Sequence, residues 1–394
     1  IFGLVTIFGA AGISAKEAPQ LSALVKAGKR IGILSNSHAA IMNLLKGLPG
    51  LLPDANLVKV AGYGANKEFR ERFCEKEHPN LNYRSGMSFT QKSPYQHYDV
   101  IGATVYAFAK QVAYDYPVDY LFVDEASQVA LANLIVVTGA ANNIILMGDQ
   151  MQLEQPIQGA HPDPAGQSAL QFMLKGQSVI HSDEGVFLER SYRMHPNVCE
   201  PLSEVVYEGK LQADKQTIKQ SINLATPKLI TQSTGILSIR VRHQYNTQNS
   251  VEEVLKIQEL VDELKTGTFT NNKGQTHPVE DEDILIVAPF NMQVNLLKEK
   301  LTCNLKIGTI DKFQGQEAPV VIISMSVSDV AESTRGLDFI FDINRLNVAV
   351  SRAQALAIIV VNEGLEQCQV SSLAQMEKVG FFIKLMTAGA ESEC

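Results

Sequence analysis

Short runs of consecutive apolar residues alternate along the chain with stretches in which apolar side chains recur every three or four positions. The runs at residues 1–8, 30–34, 100–104, 120–123 and 144–147 have strand length and no polar alternation, so each is expected to be buried on both faces. Residues 21–26 and 39–46 carry helical periodicity between the first of these runs. That order predicts βαβ units and a parallel sheet covered by helices on both sides. A charged, irregular stretch at 63–98 interrupts the rhythm and reads as an insertion. The rhythm then restarts, with strands expected at 236–241, 284–288, 306–309, 320–325 and 357–361. Helices are expected at 251–265, 291–301 and 344–353, the last two opened by asparagine caps at Asn291 and Asn344. The loop at 159–167 (GAHPDPAGQ) belongs with the first half, and a polar segment at 212–232 lies between the halves. The pattern predicts two α/β domains, 1–178 and 179–394, with a hinge near 175–183. The halves repeat in architecture and not in letters.

Composition narrows the picture. Of 394 residues, 45% are hydrophobic and 19% charged, which supplies ample core and argues against disorder. A net charge of −8 excludes a generic basic coat for nucleic acid but leaves room for a local basic groove. The five cysteines, Cys74, Cys199, Cys303, Cys368 and Cys394, are scattered and form no CxxC pair. Neither a disulfide framework nor a zinc site is expected, and a reducing cytoplasm is the natural location. No run approaches the roughly 18 apolar residues of a membrane span, so no membrane partner is expected. The opening IFGLVTIFGAAGISA has the apolar run of a secretory signal but no initiating Met and no positive leader. It reads better as a buried first strand running into a glycine loop, and the missing Met suggests a chain cut from something longer.

Several segments carry candidate chemistry. The run Tyr120-Leu-Phe-Val ends in Asp124-Glu125, which delivers two carboxylates to the carboxyl edge of a parallel sheet, where ligands of open α/β folds bind. In a nucleotide hydrolase the first acid holds Mg²⁺ and the second deprotonates the attacking water. The alternative is a strand finishing in a solvated acidic turn. The run 144–147 leads to Gly148-Asp149 and Gln152, which a neighbouring strand would place beside the acids. There Gln152 would report the γ-phosphate; the alternative is an ordinary polar loop. Glu189-Arg190-Ser-Tyr-Arg193-Met-His195-Pro196 puts two arginines ahead of a helix that Pro196 can start. Thr309-Ile-Asp311-Lys312-Phe-Gln314-Gly315-Gln316-Glu317 leads into another strand. Arg345 and Arg352 are seven residues apart, which on one helix brings them to nearly the same face. An arginine aimed at a transferring phosphoryl group raises its transfer rate by about 10³–10⁵. For each arginine the alternative is an exposed or salt-bridged side chain.

Taken together these segments resemble the superfamily 1B helicases, the group containing the RNA-decay and immunoglobulin-switch helicases. In that pattern DEAS (124–127) is motif II, GDQMQL (148–153) motif III, SYRMHP (191–196) motif IV, TIDKFQGQE (309–317) motif V and NRLNVAVSRA (344–353) motif VI. SNSH (35–38) and GAT (102–104) fall where strand-contacting motifs are expected. The chain is similar in particular to bacterial proteins that fuse a RecB-like nuclease to such a helicase, and the nuclease would then precede residue 1.

The resemblance implies two RecA-like P-loop domains with ATP and Mg²⁺ between them and single-stranded DNA or RNA across the top, with movement from 5′ to 3′. It assigns Asp124 to the metal, Glu125 to the base, Gln152 to γ-phosphate sensing, and Arg193 and Arg352 to the transition state. Gly9, Gly12, Ser14, Lys16, Asp149, Gly315, Gln316 and Glu317 would contact the nucleotide, the last two linking it to the strand. Ser35, Asn36, His38, Thr104, Phe290, Thr309 and Lys312 would touch the strand, Phe290 either stacking on a base or closing its own strand as a core aromatic. One segment departs from the family. The phosphate loop should read GPPGTGK[ST], but Ser14 stands at the second motif glycine, Ala15 at the lysine and Lys16 at the metal-binding hydroxyl. Either Lys16 swings back to supply the charge, or ATP loses its strongest anchor. The rival to a working motor is therefore a nucleotide-insensitive clamp that positions nucleic acid for a fused nuclease.

Overall fold

The computed structural model describes residues 3–8, 18–62, 78–85, 95–153, 165–175, 177–301, 304–313 and 316–388. The chain divides into two compact units, residues 1–150 with 154–188, and residues 151–153 with 189–394.

The first unit is built on β1 (Gly3–Phe8), β2 (Ile31–Leu34), β3 (Leu57–Ala61), β4 (Leu81–Ser85), β5 (Val100–Ala103), β6 (Val118–Val123), β7 (Ala141–Gly148) and β8 (Gly185–Phe187). They lie in the order β4-β3-β5-β2-β6-β7-β1-β8, and every pairing is parallel. Side chains alternate between two apolar layers, as a strand period of two requires. Leu121 and Val123 join one layer with Leu34, Phe108, Leu134 and Leu170, whereas Phe122 joins the other with Ile31, Ile33, Leu44 and Leu45. Both faces are buried, which explains the uninterrupted apolar runs.

The stretch expected to be an insertion is partly sheet. Residues 81–85 form the edge strand β4 against β3, and Tyr95 and Tyr98 are buried in the core. The pattern hid both strands. LVKVA carries a lysine, Lys59, that is wholly buried, and LNYRS is mostly polar because an edge strand is only half covered.

In the second unit β9 (Arg190–Ser191) pairs with β10 (Gln212–Ala213). A small antiparallel sheet joins β11 (Ser221–Asn223), β13 (Thr268–Thr270) and β14 (Thr276–Pro278). The main sheet contains β12 (Gly235–Val241), β15 (Ile284–Ala288), β16 (Lys306–Thr309), β17 (Ala318–Ser324) and β18 (Ala353–Asn362) in the order β12-β18-β17-β15-β16, all parallel. The helix Val251–Leu264 buries Val254, Ile257, Leu260, Val261 and Leu264, a single helical stripe, against Ile286, Ile322 and Ile358 of the sheet. The C-terminal helix Leu373–Thr387 adds Phe382, whose ring lies 4.6 Å from Phe341. The α/β class with parallel sheets predicted from the sequence is the class observed in both units. Among the described residues no helix is long and apolar enough to cross a membrane.

The expected asparagine caps are not used. Helix Asn291–Lys300 is preceded by Phe290 without a side-chain cap bond, and helix Ile343–Val350 is capped by Asp342, which accepts from Arg345 N at 2.8 Å. The carboxylate two residues ahead of the expected Asn344 takes the role, as Asp caps as well as Asn does.

Glu253 is wholly buried and ties three elements of this unit together. It accepts from Ser324 Oγ at 2.5 Å and from Ser326 N, and it contacts His243 Nε2 at 3.1 Å; His243 Nδ1 in turn lies 2.7 Å from Ser328 Oγ. Removing one member of such a network strands the others without partners. Glu253→Ala is therefore expected to destabilise the second unit by about 3–5 kcal/mol, read as a lowered urea midpoint. An unchanged midpoint would mean the network adds nothing to stability.

Candidate functional site

The carboxyl edge of the first sheet collects the expected residues of that unit. Strands β6 and β7 are neighbours in register, with Val123 opposite Leu146, and each ends in acid. Asp124 and Asp149 are both 3% exposed. The Asp124 amide donates to Leu34 O at 2.7 Å, which pins the acid to the end of β2. Glu125 follows with φ 52° and ψ 45°, a left-handed backbone that costs a residue with a Cβ about 1–2 kcal/mol, and its amide donates to Asp124 Oδ1 at 2.9 Å. Strain of this kind held beside a buried acid is a mark of functional sites. The two turns approach so closely that a Cβ at Gly148 would lie 2.9 Å from Ala126 N. Only glycine fits there.

Strand β1 lies on the other side of β7, with Phe8 opposite Gly148, so β1 ends at the same edge. Gly9, Gly12, Ser14, Ala15 and Lys16 themselves lie outside the described residues. Residues 151–153 group with the second unit, where Gln152 O accepts from Asn344 Nδ2 at 3.3 Å.

The expected strand contacts of the first unit share this edge. Leu34 is opposite Ala103, so Ser35 and Asn36 emerge beside Thr104. Ser35 is buried and its hydroxyl accepts from Ser37 N; Asn36 Nδ2 donates to Gln128 O at 2.7 Å; Thr104 precedes helix Val105–Phe108 without a side-chain cap bond. His38 opens helix His38–Lys46, and burial, aided by the nearby Lys59 charge, holds its imidazole below the ordinary value.

In the second unit Arg193, Glu317 and Arg352 form one network. Arg193 Nε donates to Glu317 Oε2 at 2.6 Å and Arg193 Nη1 to Ser351 O at 3.2 Å. Arg352 is 2% exposed, with Nε on Val348 O at 3.1 Å and Nη1 on Gln316 O at 3.2 Å. Helix Ile343–Val350 stops before Arg352, which follows the C-cap Ser351, so the expected two-turn stacking of Arg345 and Arg352 does not occur. Arg345 instead pairs with Asp311 at 3.4 Å and lies 4.5 Å over the Phe339 ring. Pro196 starts its helix as expected, and His195 Nδ1 caps it by accepting from Asn197 N at 3.1 Å. Burial holds His195 below its ordinary value, against the raising effect of the Ile218 backbone, which keeps the ring nitrogen free to accept.

At the far edge of the main sheet Ala288 is opposite Thr309, which places Phe290, Thr309 and the exposed Lys312 at neighbouring strand ends. Phe290 is 6% exposed and its ring centroid is 5.5 Å from that of Phe339, a packed core aromatic in this structure. Gly315 lies outside the described residues.

Two positions that tie these segments together escaped the sequence reading. Gln354 donates to Glu317 Oε1 at 2.9 Å while its carbonyl accepts from His195 N at 2.7 Å, joining the segments around His195 and Glu317. Asn347, 1% exposed, donates to Tyr207 Oη at 2.9 Å. Both lie within or next to NRLNVAVSRA, so that segment was the available signal.

Burial alone would raise the Glu317 carboxyl, but Arg193, Gln354 and Arg352 outweigh it and hold the group below its ordinary value. A carboxyl depressed on folding contributes stability that is present above its unfolded value and is lost as pH falls through its folded value. The thermal midpoint of Glu317→Gln is thus expected to lie below that of the parent near neutrality and to converge with it in acid. A gap that persists unchanged into acid would exclude the ion pair as its source.

Comparison with known proteins bears on both units. The model of a family described as "AAA domain" matches residues 166–364, just over half of the chain. The Schizosaccharomyces pombe protein "DNA replication ATP-dependent helicase/nuclease dna2" is 24% identical over 386 residues, covering 93% of this chain and 26% of that protein. The Danio rerio "Putative helicase mov-10-B.1" is 25% identical over 70% of this chain and 30% of its own. This chain thus spans under a third of these relatives. A solved arterivirus nonstructural protein 10 (helicase) with DNA is 12% identical, with a TM-score of 0.44 over 91% of this chain and 60% of that one.

Proposed function

Because the chain belongs to the AAA domain family, a superfamily 1 helicase family, we propose that it is the motor part of an ATP-dependent nucleic-acid helicase. The observation that carries this reading is the single sheet edge at which Asp124, Glu125 and Asp149 emerge beside the end of β1. The donor set fits Mg²⁺ arriving with a nucleotide. Among the described residues no cluster of three or more metal-binding side chains exists, and Mg²⁺ on a triphosphate needs only one or two carboxylates besides phosphate and water. Bound there, the ion would neutralise charge developing on the phosphates.

Asp124, with Asp149 beside it, would hold the ion, and Glu125 would take the proton from the attacking water. Gly9, Gly12, Ser14 and Lys16 would cradle the phosphates through backbone N–H groups and one ammonium. Gln152 would sense the γ-phosphate, and Arg193 and Arg352 would meet the transition-state charge. Gln316 and Glu317, bonded to those arginines, would couple nucleotide state to strand grip. Ser35, Asn36, His38, Thr104, Thr309 and Lys312 would follow the backbone of a single strand, and alternate tightening would convert hydrolysis into 5′ to 3′ stepping. The relative named as a helicase/nuclease supports a nuclease in the same parent chain.

Ala15 at the lysine position favours a second reading, a strand-binding clamp without turnover. Phosphate release with and without a single-stranded oligonucleotide separates the two. Turnover stimulated by the strand supports the motor; salt-dependent binding without turnover supports the clamp; absence of both overturns each.

A further inference from the structure

We propose that Tyr106 is a stacking platform for a base of the bound single strand. This rests on the strand-binding reading above and adds to it a contact with bases, where the residues named so far are suited to the backbone. Tyr106 is 84% exposed, the most exposed large apolar side chain among the described residues. Its neighbours are the opposite. Val105 is 7% exposed, Ala107 6% and Phe108 wholly buried, and Ala107 N donates to Thr104 O at 3.0 Å and Ala109 N to Val105 O at 2.9 Å. The backbone under the ring is therefore fixed by core packing on both sides, while the ring itself stands largely in solvent.

Its place in the fold says what it can meet. Helix Val105–Phe108 begins directly after Thr104, at the carboxyl end of β5, and β5 pairs with β2 so that Thr104 emerges beside Ser35 and Asn36. Asn36 and Thr104, two half-buried polar side chains suited to phosphate and sugar, thus lie at the strand ends from which the tyrosine rises, beside the buried Ser35. A ring held rigidly at such an edge offers a flat face to any base, which gives affinity without sequence preference. An apolar protein partner fits the surroundings less well. Ile135 and Val136, the exposed apolar pair of helix Leu131–Val137, come just before β7 begins and so belong to the amino edge of the sheet.

The chain contains no tryptophan, so Tyr106→Trp introduces a single indole as a reporter. Saturation with an oligothymidylate is expected to quench its emission by more than half, and an abasic oligonucleotide of equal length to leave it unquenched. Tyr106→Ala is expected to weaken oligothymidylate binding about tenfold with the salt slope unchanged, because phosphate contacts remain, and Tyr106→Phe to bind like the parent. Parent-like affinity of Tyr106→Ala, or equal quenching by the abasic strand, overturns the proposal while leaving strand binding in place. A parent protein that binds no oligonucleotide overturns the strand-binding reading, and this inference with it.

Discussion

Glu125→Gln is expected to lower strand-stimulated ATP turnover by about 10²–10⁴-fold, the range a positioned general base supplies, with nucleotide and oligonucleotide binding retained. Glutamine keeps the shape of the side chain and removes its basicity. The backbone that presents the residue does not depend on the carboxylate: the left-handed turn is held by its own amide on Asp124 Oδ1 and by the approach of Gly148 to Ala126. Phosphate release measured beside nucleotide affinity checks the prediction. Turnover equal to that of the parent would place the base elsewhere, and loss of nucleotide affinity along with turnover would make Glu125 a binding residue.

Arg352→Ala is expected to cost about 10³–10⁵ in turnover if its guanidinium meets the transferring phosphoryl group, while strand affinity changes little. This arginine also holds two main-chain carbonyls, Val348 O and Gln316 O, from a position 2% exposed. Truncation strands those acceptors, so a lowered thermal midpoint accompanies the loss. Arg352→Lys separates the roles, since lysine keeps the charge and loses the planar fork. A lysine variant that restores the midpoint but not turnover supports the transition-state role. Proportionate losses of turnover and strand affinity would make the residue structural.

Much of the fold was legible because a parallel sheet buried on both faces leaves a plain trace in the sequence. The run 120–123 within β6 and the run 284–288 of β15 carry no charge, and the acids at 124 and 125 follow the first of them without a gap. Proline at 196 announced its helix through its own fixed φ. Other features were hidden for identifiable reasons. Lys59 breaks the apolar run of β3 although it is wholly buried, and β4 is too polar to stand out from the charged stretch around it. Arg345 and Arg352 match a helical spacing, but the helix ends between them, and only the hydrogen bonds of Ser351 reveal where. The pairing of Arg193 with Glu317 joins residues 124 positions apart and leaves no local signature. Tyr106 stood in plain view beside Thr104, yet only its exposure distinguished it from a core aromatic.

Acids of the first unit and guanidinium groups of the second are proposed to act on one triphosphate. Coordinates of the chain crystallised with ADP, aluminium fluoride, Mg²⁺ and an oligonucleotide would test it most directly. Arg193 and Arg352 are expected within hydrogen-bond reach of the fluoride group, with Glu125 on the attacking water and Asp124 facing the ion. A fluoride complex seated on the first unit with both guanidinium groups remote from it would contradict the account.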